Sequence, residues 1–155
     1  MMNRLLRYFP LAAAGFSLFF SLCASPSYAA DYVSVKKDGV NIRSGPGTNN
    51  PVVMEVFRGF PLKVEETKGS WLRVVDYEDD GGWISKDMTD NAKTVIVISK
   101  SSVNMRQEPS TKSGKVADVE SGVVLQLIGA KGDWRQVKHS SGTSGWLHES
   151  LVWPR

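Results

Sequence analysis

The side chains that act as acids, bases or nucleophiles near neutral pH are few in this chain of 155 residues. His139 and His148 are its two histidines, and Cys23 is its single cysteine. A general base must lie within hydrogen-bond reach of its substrate, and a nucleophile needs such a base beside it. No serine stands in an evident motif with a base and an orienting acid. The sequence therefore predicts no catalytic site, and it predicts that each histidine is a solvated loop residue.

An acidic stretch offers a second possible chemistry, the binding of calcium. The sequence "DYEDDGG" contains four carboxylates, on Asp76, Glu78, Asp79 and Asp80. Their spacing departs from that of a known calcium loop, in which ligands alternate along about twelve residues and end in a glutamate. We interpret the stretch as the charged tip of a hairpin, and we expect no metal site and no cofactor.

Two arginines are candidates for recognition chemistry. Arg43 lies in "VNIRSGPGTNN" and Arg106 in "VNMRQEPSTKS", each between a short apolar stretch and a loop. A guanidinium has five N–H donors and can hold several loop carbonyls, which is the interpretation we prefer. The alternative is that the arginine pairs with a carboxylate of a ligand.

Tryptophans at matching positions are further candidates. Trp71 and Trp134 each precede an apolar valine, Val74 or Val137, by three residues. Side chains in a strand alternate between faces, so these tryptophans are predicted to lie on the outer face if the valines point inward. There each ring either contacts a ligand or packs beneath its neighbouring loop, Arg43–Pro51 or residues 106–114.

The other tryptophans are assigned differently. Trp83 and Trp146 follow glycines at the entry to a short strand, and we expect them to pack in the core or at its rim. Trp153 has Asp90 as its counterpart. We expect Trp153 either to cover one end of the second unit or to lie in an interface.

These pairs belong to an internal repeat. Shifting the chain by 63 positions gives 16 identities over 62 aligned residues without an insertion, mostly at glycine, proline, tryptophan and apolar positions. Such regular self-similarity indicates duplicated domains. We define the first repeat as residues 31–90 and the second repeat as residues 94–155, joined by the linker "DNAKT".

The local pattern of each repeat is that of β-structure. Alternating and β-branched segments such as "YVSVK", "VVMEVF" and "WLRVVDY" are separated by turn residues, which predicts about five short strands. A single helical turn is expected at "SKDM" and at "HESL", with Met88 and Leu151 closing one end of each unit. Because five short strands must hide their edges, we predict an all-β fold of two small barrels.

The N-terminal residues are predicted to be a signal peptide, residues 1–29, in helical conformation. Arg4 and Arg7 precede an apolar run, and "SPSYAA" supplies the small residues that signal peptidase requires. Cleavage is expected after Ala29, with Ala30 as the second choice. The alternative is an uncleaved membrane anchor, which would be the protein's sole contact with a membrane.

Charge excludes one class of partner. Without Arg4 and Arg7, 17 basic residues face 16 acidic ones, so the exported chain is nearly neutral and has no basic stripe for nucleic acid. The charge is nevertheless uneven, since residues 31–92 carry 8 basic and 11 acidic side chains and residues 93–155 carry 9 and 5. The two halves are therefore suited either to attracting each other or to contacting different partners.

The motifs "VNIRSGPGT" and "GGWIS" resemble those of the bacterial SH3-like (SH3b) domain family, and the second repeat resembles it too, although "RQEPS" replaces "RSGPG" there. The resemblance covers roughly residues 32–89 and 95–153. It implies SH3-like barrels that are non-catalytic and bind cell-wall peptides or serve as targeting modules beside hydrolase domains. It also makes the loop arginines, the outer tryptophans and the hairpin tyrosine candidate ligand contacts, namely Arg43, Trp71, Tyr77, Arg106 and Trp134.

The sequence thus predicts an exported protein, periplasmic or secreted, that recognises peptidoglycan peptide stems without catalysis. Its groove is expected beside the Arg43–Pro51 loop, Trp71 and the hairpin 77–80, and in the corresponding place of the second repeat. The alternative function is that of an adaptor for envelope proteins, or of an accessory partner to a separate cell-wall hydrolase.

Overall fold

A computed structural model describes residues 31–155 of the chain. The signal peptide predicted for residues 1–29 lies outside these described residues. Residues 31–155 fold into two antiparallel sheets, one for each repeat, with only two turns of 3₁₀-helix. Among the same residues no helix combines the length and the apolar character needed to cross a membrane. The prediction of an all-β fold is confirmed.

Each sheet contains seven strands, two more than the five predicted. One is the two-residue strand that ends each repeat; the other, which ends at the loop arginine, is the short apolar stretch noted in the sequence. The first sheet consists of β1 (Tyr32–Val35), β2 (Val40–Arg43), β3 (Val52–Val56), β4 (Pro61–Lys68), β5 (Trp71–Val75), β6 (Gly81–Ser85) and β7 (Thr89–Asp90). The second consists of β8 (Thr94–Val97), β9 (Val103–Arg106), β10 (Lys115–Val119), β11 (Val124–Lys131), β12 (Trp134–Lys138), β13 (Ser144–His148) and β14 (Val152–Trp153).

The two sheets have the same topology. The strand order is β3-β2-β6-β5-β4-β1-β7 in the first and β10-β9-β13-β12-β11-β8-β14 in the second. The expectation of a repeat without insertions is wrong at one place. Leu62 pairs with Val33 and its counterpart Leu125 pairs with Val95, so the first strands are related by 62 residues and not 63. The extra residue lies in the longer turn between β8 and β9.

Alternation of side chains gives each sheet one apolar face. The core of the first repeat is centred on Ile42, Leu62, Val74 and Ile84, all fully buried. The second core repeats this arrangement with the counterparts Met105, Leu125, Val137 and Leu147. The expected helical turns are present at Lys86–Met88 and Glu149–Leu151. As predicted, Met88 packs against the first core and Leu151 against the second.

A glycine allows two strands to approach closely in each repeat. A methyl group at Gly82 in β6 would collide with the carbonyl oxygen of Arg43 and lie 2.9 Å from Cγ2 of Ile42. At Gly145 in β13 it would lie 2.5 Å from Cγ of Met105. Real Cβ atoms do not make such contacts, so the core side of this position has room for hydrogen alone.

The repeats pack against each other along β8, which is buried on both faces. Val95 and Val97 belong to the second core, whereas Ile96, which is 2% exposed, packs in the core of the first repeat. Trp153 also packs against the first core, and its ring meets that of Tyr32 edge-on at 5.4 Å. Of the two roles expected for Trp153, the structure shows the interface.

Hydrogen bonds complete this contact. The hydroxyl of Ser34 donates to the carbonyl oxygen of Ala92 at 2.6 Å and lies 2.6 Å from the hydroxyl of Thr94, which in turn donates to the carbonyl oxygen of Gly59 at 2.7 Å. Ser34 is 2% exposed, so these bonds satisfy a buried polar group. We call this surface, formed by Tyr32, Ser34, Gly59, Ala92, Thr94, Ile96 and Trp153, the inter-repeat seam.

Candidate functional site

Both loop arginines hold the loops that follow them. Nη1 of Arg43 donates to the carbonyl oxygen of Asn50 at 2.8 Å, and Nη1 of Arg106 donates to that of Ser113 at the same distance. Each side chain is half-buried. The arginine thus ties the far end of its loop to the strand, which is the structural role preferred from the sequence.

This contact predicts a measurable effect on stability. Arg43→Met keeps most of the aliphatic length but removes the donor, and we expect it to lower the free energy of unfolding by about 1 kcal/mol. Chemical denaturation measures this change, and Arg58→Met, at an exposed position, serves as the matched control. An unchanged denaturation midpoint for Arg43→Met would show that the bond to Asn50 contributes no stability.

Trp71 and Trp134 lie on the outer faces of their sheets. The pairing of β5 with β6 is regular from Trp71 opposite Ser85 to Val75 opposite Gly81, so alternation is preserved along β5. Leu72 and Val74 point into the core, and Trp71 is half-buried on the opposite face. This placement agrees with the alternation inferred from the sequence.

Trp83 lies on the same outer face. The sequence predicts it in the core or at the rim of the core, and the structure excludes the core. It stands opposite Arg73 on one neighbouring strand and opposite Arg43 on the other. Directly paired residues of antiparallel strands have Cβ atoms about 5 Å apart on one face, so Trp83 lies between two arginine residues on this face. Ile84, the next residue, is fully buried, which explains why Trp83 must face outward.

We call the surface formed by Arg43, Trp71, Arg73 and Trp83 the tryptophan face of the first repeat. Beside Trp83 it opens into a shallow groove of about 490 Å³, bounded by Arg73, Ser44 and Asp79 among others. Nε of Arg73 lies 3.5 Å from a carboxylate oxygen of Glu65, and both side chains are well exposed. Such an exposed pair is weak, so the guanidinium can exchange it for a ligand carboxylate at little cost.

The second repeat has a related but less cationic face. Trp146 stands opposite Arg106 on one side and opposite Gln136, the counterpart of Arg73, on the other. Trp134 contacts His148 edge-on, with the ring centres 5.5 Å apart. The tryptophan face of the second repeat therefore contains Arg106, Trp134, Gln136 and Trp146, with one guanidinium in place of two.

Tyr77 is not part of the tryptophan face. It follows the end of β5, whereas Trp71 begins that strand, so the length of a five-residue strand, about 16 Å, separates them. The Tyr77 ring instead lies 6.5 Å from that of Phe60, which meets Phe57 edge-on at 5.3 Å. Burial, followed by the charges of Glu78 and Asp76, raises the pKa of Tyr77 above its ordinary value of 10.0. We call Phe57, Phe60 and Tyr77 the aromatic cluster.

The acidic hairpin is organised by one buried carboxylate. Oδ1 of Asp76 accepts hydrogen bonds from the backbone N–H groups of Glu78 at 2.8 Å and Asp80 at 3.1 Å. In the second repeat His139 takes this position, and its Nδ1 accepts from the N–H of Ser141 at 3.2 Å. Both side chains therefore cap a turn. Within residues 31–155 no group of three or more histidine, cysteine or acidic side chains is arranged to hold a metal ion.

The described fold agrees with a comparison to known families. The profile of a family described as "Bacterial SH3 domain" matches the chain twice, at residues 36–90 and 99–154. A protein of Bacillus subtilis strain 168 named as an N-acetylmuramoyl-L-alanine amidase, YrvJ, is 24% identical over 140 residues. That match covers 79% of this chain but 27% of the relative, so the chain corresponds to about a quarter of its length.

Two solved structures also show partial similarity. NlpC2 from Trichomonas vaginalis aligns with a TM-score of 0.37 at 14% identity, covering 81% of this chain and 48% of that chain. An NlpC/P60 family protein from Bacillus cereus ATCC 10987 aligns with a TM-score of 0.36 at 12% identity. The alignment covers 79% of this chain and 55% of that chain.

Proposed function

Because this chain belongs to the bacterial SH3 domain family in both of its repeats, we propose that it is an exported, non-catalytic protein that recognises peptidoglycan peptides in the cell envelope. The match to an N-acetylmuramoyl-L-alanine amidase carries the proposal. That name denotes cleavage at the start of a peptidoglycan peptide, and the matched region is a quarter of the amidase. We propose that the shared region is its wall-binding part, and that export depends on residues 1–29.

The tryptophan faces are the proposed binding surfaces. In the first repeat Arg43 and Arg73 flank Trp83, and Trp71 lies beyond them on the same face. Guanidinium groups pair with carboxylates, and indole rings cover the apolar parts of a peptide. Arg106 and Trp134, beside Trp146, are proposed to do the same in the second repeat. We further propose that each sheet closes into a small barrel, which would stiffen this surface.

Tyr77 marks a separate candidate surface at the aromatic cluster. Tyr77 is 38% exposed and Phe57 is 43% exposed, although each lies beside the buried ring of Phe60. A wall peptide bound there would contact the rings of Tyr77 and Phe57 and not the tryptophans. Single substitutions therefore distinguish the two surfaces.

Co-sedimentation with purified, protein-free peptidoglycan tests the proposal. We expect the wild-type protein to enter the pellet, and we expect Trp83→Ala to weaken binding about tenfold because a central aromatic contact is lost. Trp71→Ala and Trp134→Ala are expected to weaken it less. Phe57→Ala, which removes an exposed ring of the aromatic cluster, distinguishes the two surfaces: it should bind like the wild type if the tryptophan face is the site.

Three results would change this proposal. Wild-type protein that stays in the supernatant contradicts wall recognition. Full binding by Trp83→Ala and Trp71→Ala, with loss in Tyr77→Ala, would move the site to the aromatic cluster. Release of soluble fragments from the peptidoglycan would contradict the absence of catalysis.

A second candidate function is that of an adaptor, or of an accessory partner to a separate wall hydrolase. The observation that favours it is the division of charge between the repeats, with acidic residues in excess in the first and basic residues in the second. Binding to an envelope protein through exposed charges would weaken as salt is added, since salt screens such pairs. Binding that does not respond to salt would contradict this function.

A further inference from the structure

The second repeat contains an open pocket of about 270 Å³ between β10, β11 and the hairpin that follows β12. Its floor is formed by the core residues Met105, Val119 and Leu125. Ala117 and Val123 form its apolar walls. The pocket therefore adjoins the core of this repeat, whose floor residues are themselves nearly fully buried.

The first repeat fills the corresponding place with its own side chains. Phe60 is the counterpart of Val123, and its ring packs between the first core and the ring of Tyr77. Tyr77 is the counterpart of Ser140, and Met54, which also packs on the first core, is the counterpart of Ala117. Two of these smaller residues, Ala117 and Val123, line the pocket, and Ser140 lies between its lining residues His139 and Ser141.

The rim of the pocket is acidic. Asp118 and Glu120 stand at its edge, and Nζ of Lys115 lies 2.8 Å from a carboxylate oxygen of Asp118. His139 is also at the edge, where Nδ1 faces the hydroxyl of Ser141 at 2.8 Å and the backbone N–H of that residue. Lys115 therefore neutralises Asp118, and the remaining negative charge of Glu120 favours a cation at the rim.

We propose that this pocket of the second repeat receives an aromatic side chain of a protein partner, with a lysine or arginine of the partner next to it at the rim. An aromatic ring is the group that occupies the same place in the first repeat. A ligand made of small or charged residues would leave the apolar floor uncovered. The inference goes beyond wall recognition, because it assigns the second repeat a protein contact on a different surface.

Three capped dipeptides serve as probes of the pocket. They are acetyl-Lys-Phe-amide, acetyl-Lys-Ala-amide and acetyl-Glu-Phe-amide, each titrated into the ¹⁵N-labelled protein while its amide resonances are followed by NMR. We expect saturable shifts with the Lys-Phe probe at the pocket residues, for example Ala117, Val123 and Leu125. We expect their counterparts Met54, Phe60 and Leu62 to remain unchanged.

The expected order of affinity follows from the pocket's chemistry. Removing the ring, as in the Lys-Ala probe, should weaken binding about tenfold or more, since a buried aromatic contributes most of the contact. Reversing the charge, as in the Glu-Phe probe, should weaken it about threefold, because the rim is exposed. The absence of saturable shifts at the pocket with the Lys-Phe probe would overturn the proposal, as would equal binding of the Lys-Ala probe.

Variants that restore the residues of the first repeat provide the second test. Val123→Phe and Ala117→Met each fill the pocket, and each should abolish the shifts while amide spectra show an intact fold. The reverse change, Phe60→Val, opens the first repeat and should create shifts at Met54 and Leu62. Undiminished binding in a folded Val123→Phe variant would overturn the proposal.

The pocket proposal can be tested independently of wall recognition. Val123→Phe lies away from both tryptophan faces, so its co-sedimentation with peptidoglycan should equal that of the wild type. If wild-type protein fails to bind peptidoglycan yet binds the Lys-Phe probe, wall recognition fails and the pocket proposal is supported. Loss of wall binding in Val123→Phe would show that the pocket belongs to the wall site and would overturn its assignment to a protein partner.

Discussion

Replacing Ile96 with alanine is expected to lower the free energy of unfolding by about 3 kcal/mol, the usual cost of truncating a buried isoleucine. The effect should appear in the first repeat, although Ile96 belongs to the second. Its side chain packs with the core of the first repeat, while Val95 and Val97 on either side point into the second core. The variant therefore leaves a cavity in the neighbouring repeat.

Amide hydrogen exchange measures this effect in each repeat separately. In the wild type we expect the amides of β5 and β12 to exchange with similar free energies, because the inter-repeat seam couples the two sheets. Ile96→Ala should lower both. The matched control is Ile128→Ala, at a position 45% exposed, which should change stability by less than about 0.5 kcal/mol. Loss of protection in β5 alone, or in β12 alone, would contradict the coupling.

Replacing Gly82 with alanine is expected to cost about 3 kcal/mol, at the upper end of the range for overpacking. The added methyl group meets the carbonyl oxygen of Arg43 and Cγ2 of Ile42, and neither is the mobile end of a long side chain. Relief requires that β2 move away from β6. Because Arg43 and Trp83 pair at this crossing, the variant should also disturb the tryptophan face.

Denaturation and peptidoglycan co-sedimentation together test this second expectation. Gly47→Ala is the matched control, since a methyl group there meets only the side-chain amide of Asn50, at 3.2 Å. We expect the control to retain stability and binding, and Gly82→Ala to lose both. Wild-type stability in Gly82→Ala would show that β2 and β6 separate at little cost.

Much of the fold was predictable because both repeats obey the same local rules. Glycine and proline turns bound each strand, and alternation along β5 places Trp71 outward once Val74 is taken as buried. The same reasoning applied to Ile84 would have placed Trp83 outward as well. Instead the preceding glycines suggested a packed position, and the pairing of Trp83 with Arg43 depends on β2, a strand distant in sequence.

Other features depend on contacts that the sequence pattern does not reveal. The extra residue between β8 and β9 makes Ile96 the structural counterpart of Ser34, although an offset of 63 pairs it with Val33. The seam between the repeats therefore could not be predicted from the aligned repeats. Likewise, the pocket of the second repeat is lined by the smaller residues at positions 117 and 123, which become neighbours only when the sheet is formed.

The inter-repeat seam also affects how the protein would bind a polymer that carries many copies of its ligand. With a flexible linker, two weak sites adapt to any spacing between ligands and lose effective concentration as the linker lengthens. Here hydrogen bonds from Ser34 and Thr94 and the packing of Ile96 hold the two tryptophan faces at one separation. A polymer whose peptides recur at that separation would gain avidity, whereas the same peptides free in solution would bind each face singly. Because of the seam, the affinity of the chain for a wall would depend on how closely the peptides are spaced along it.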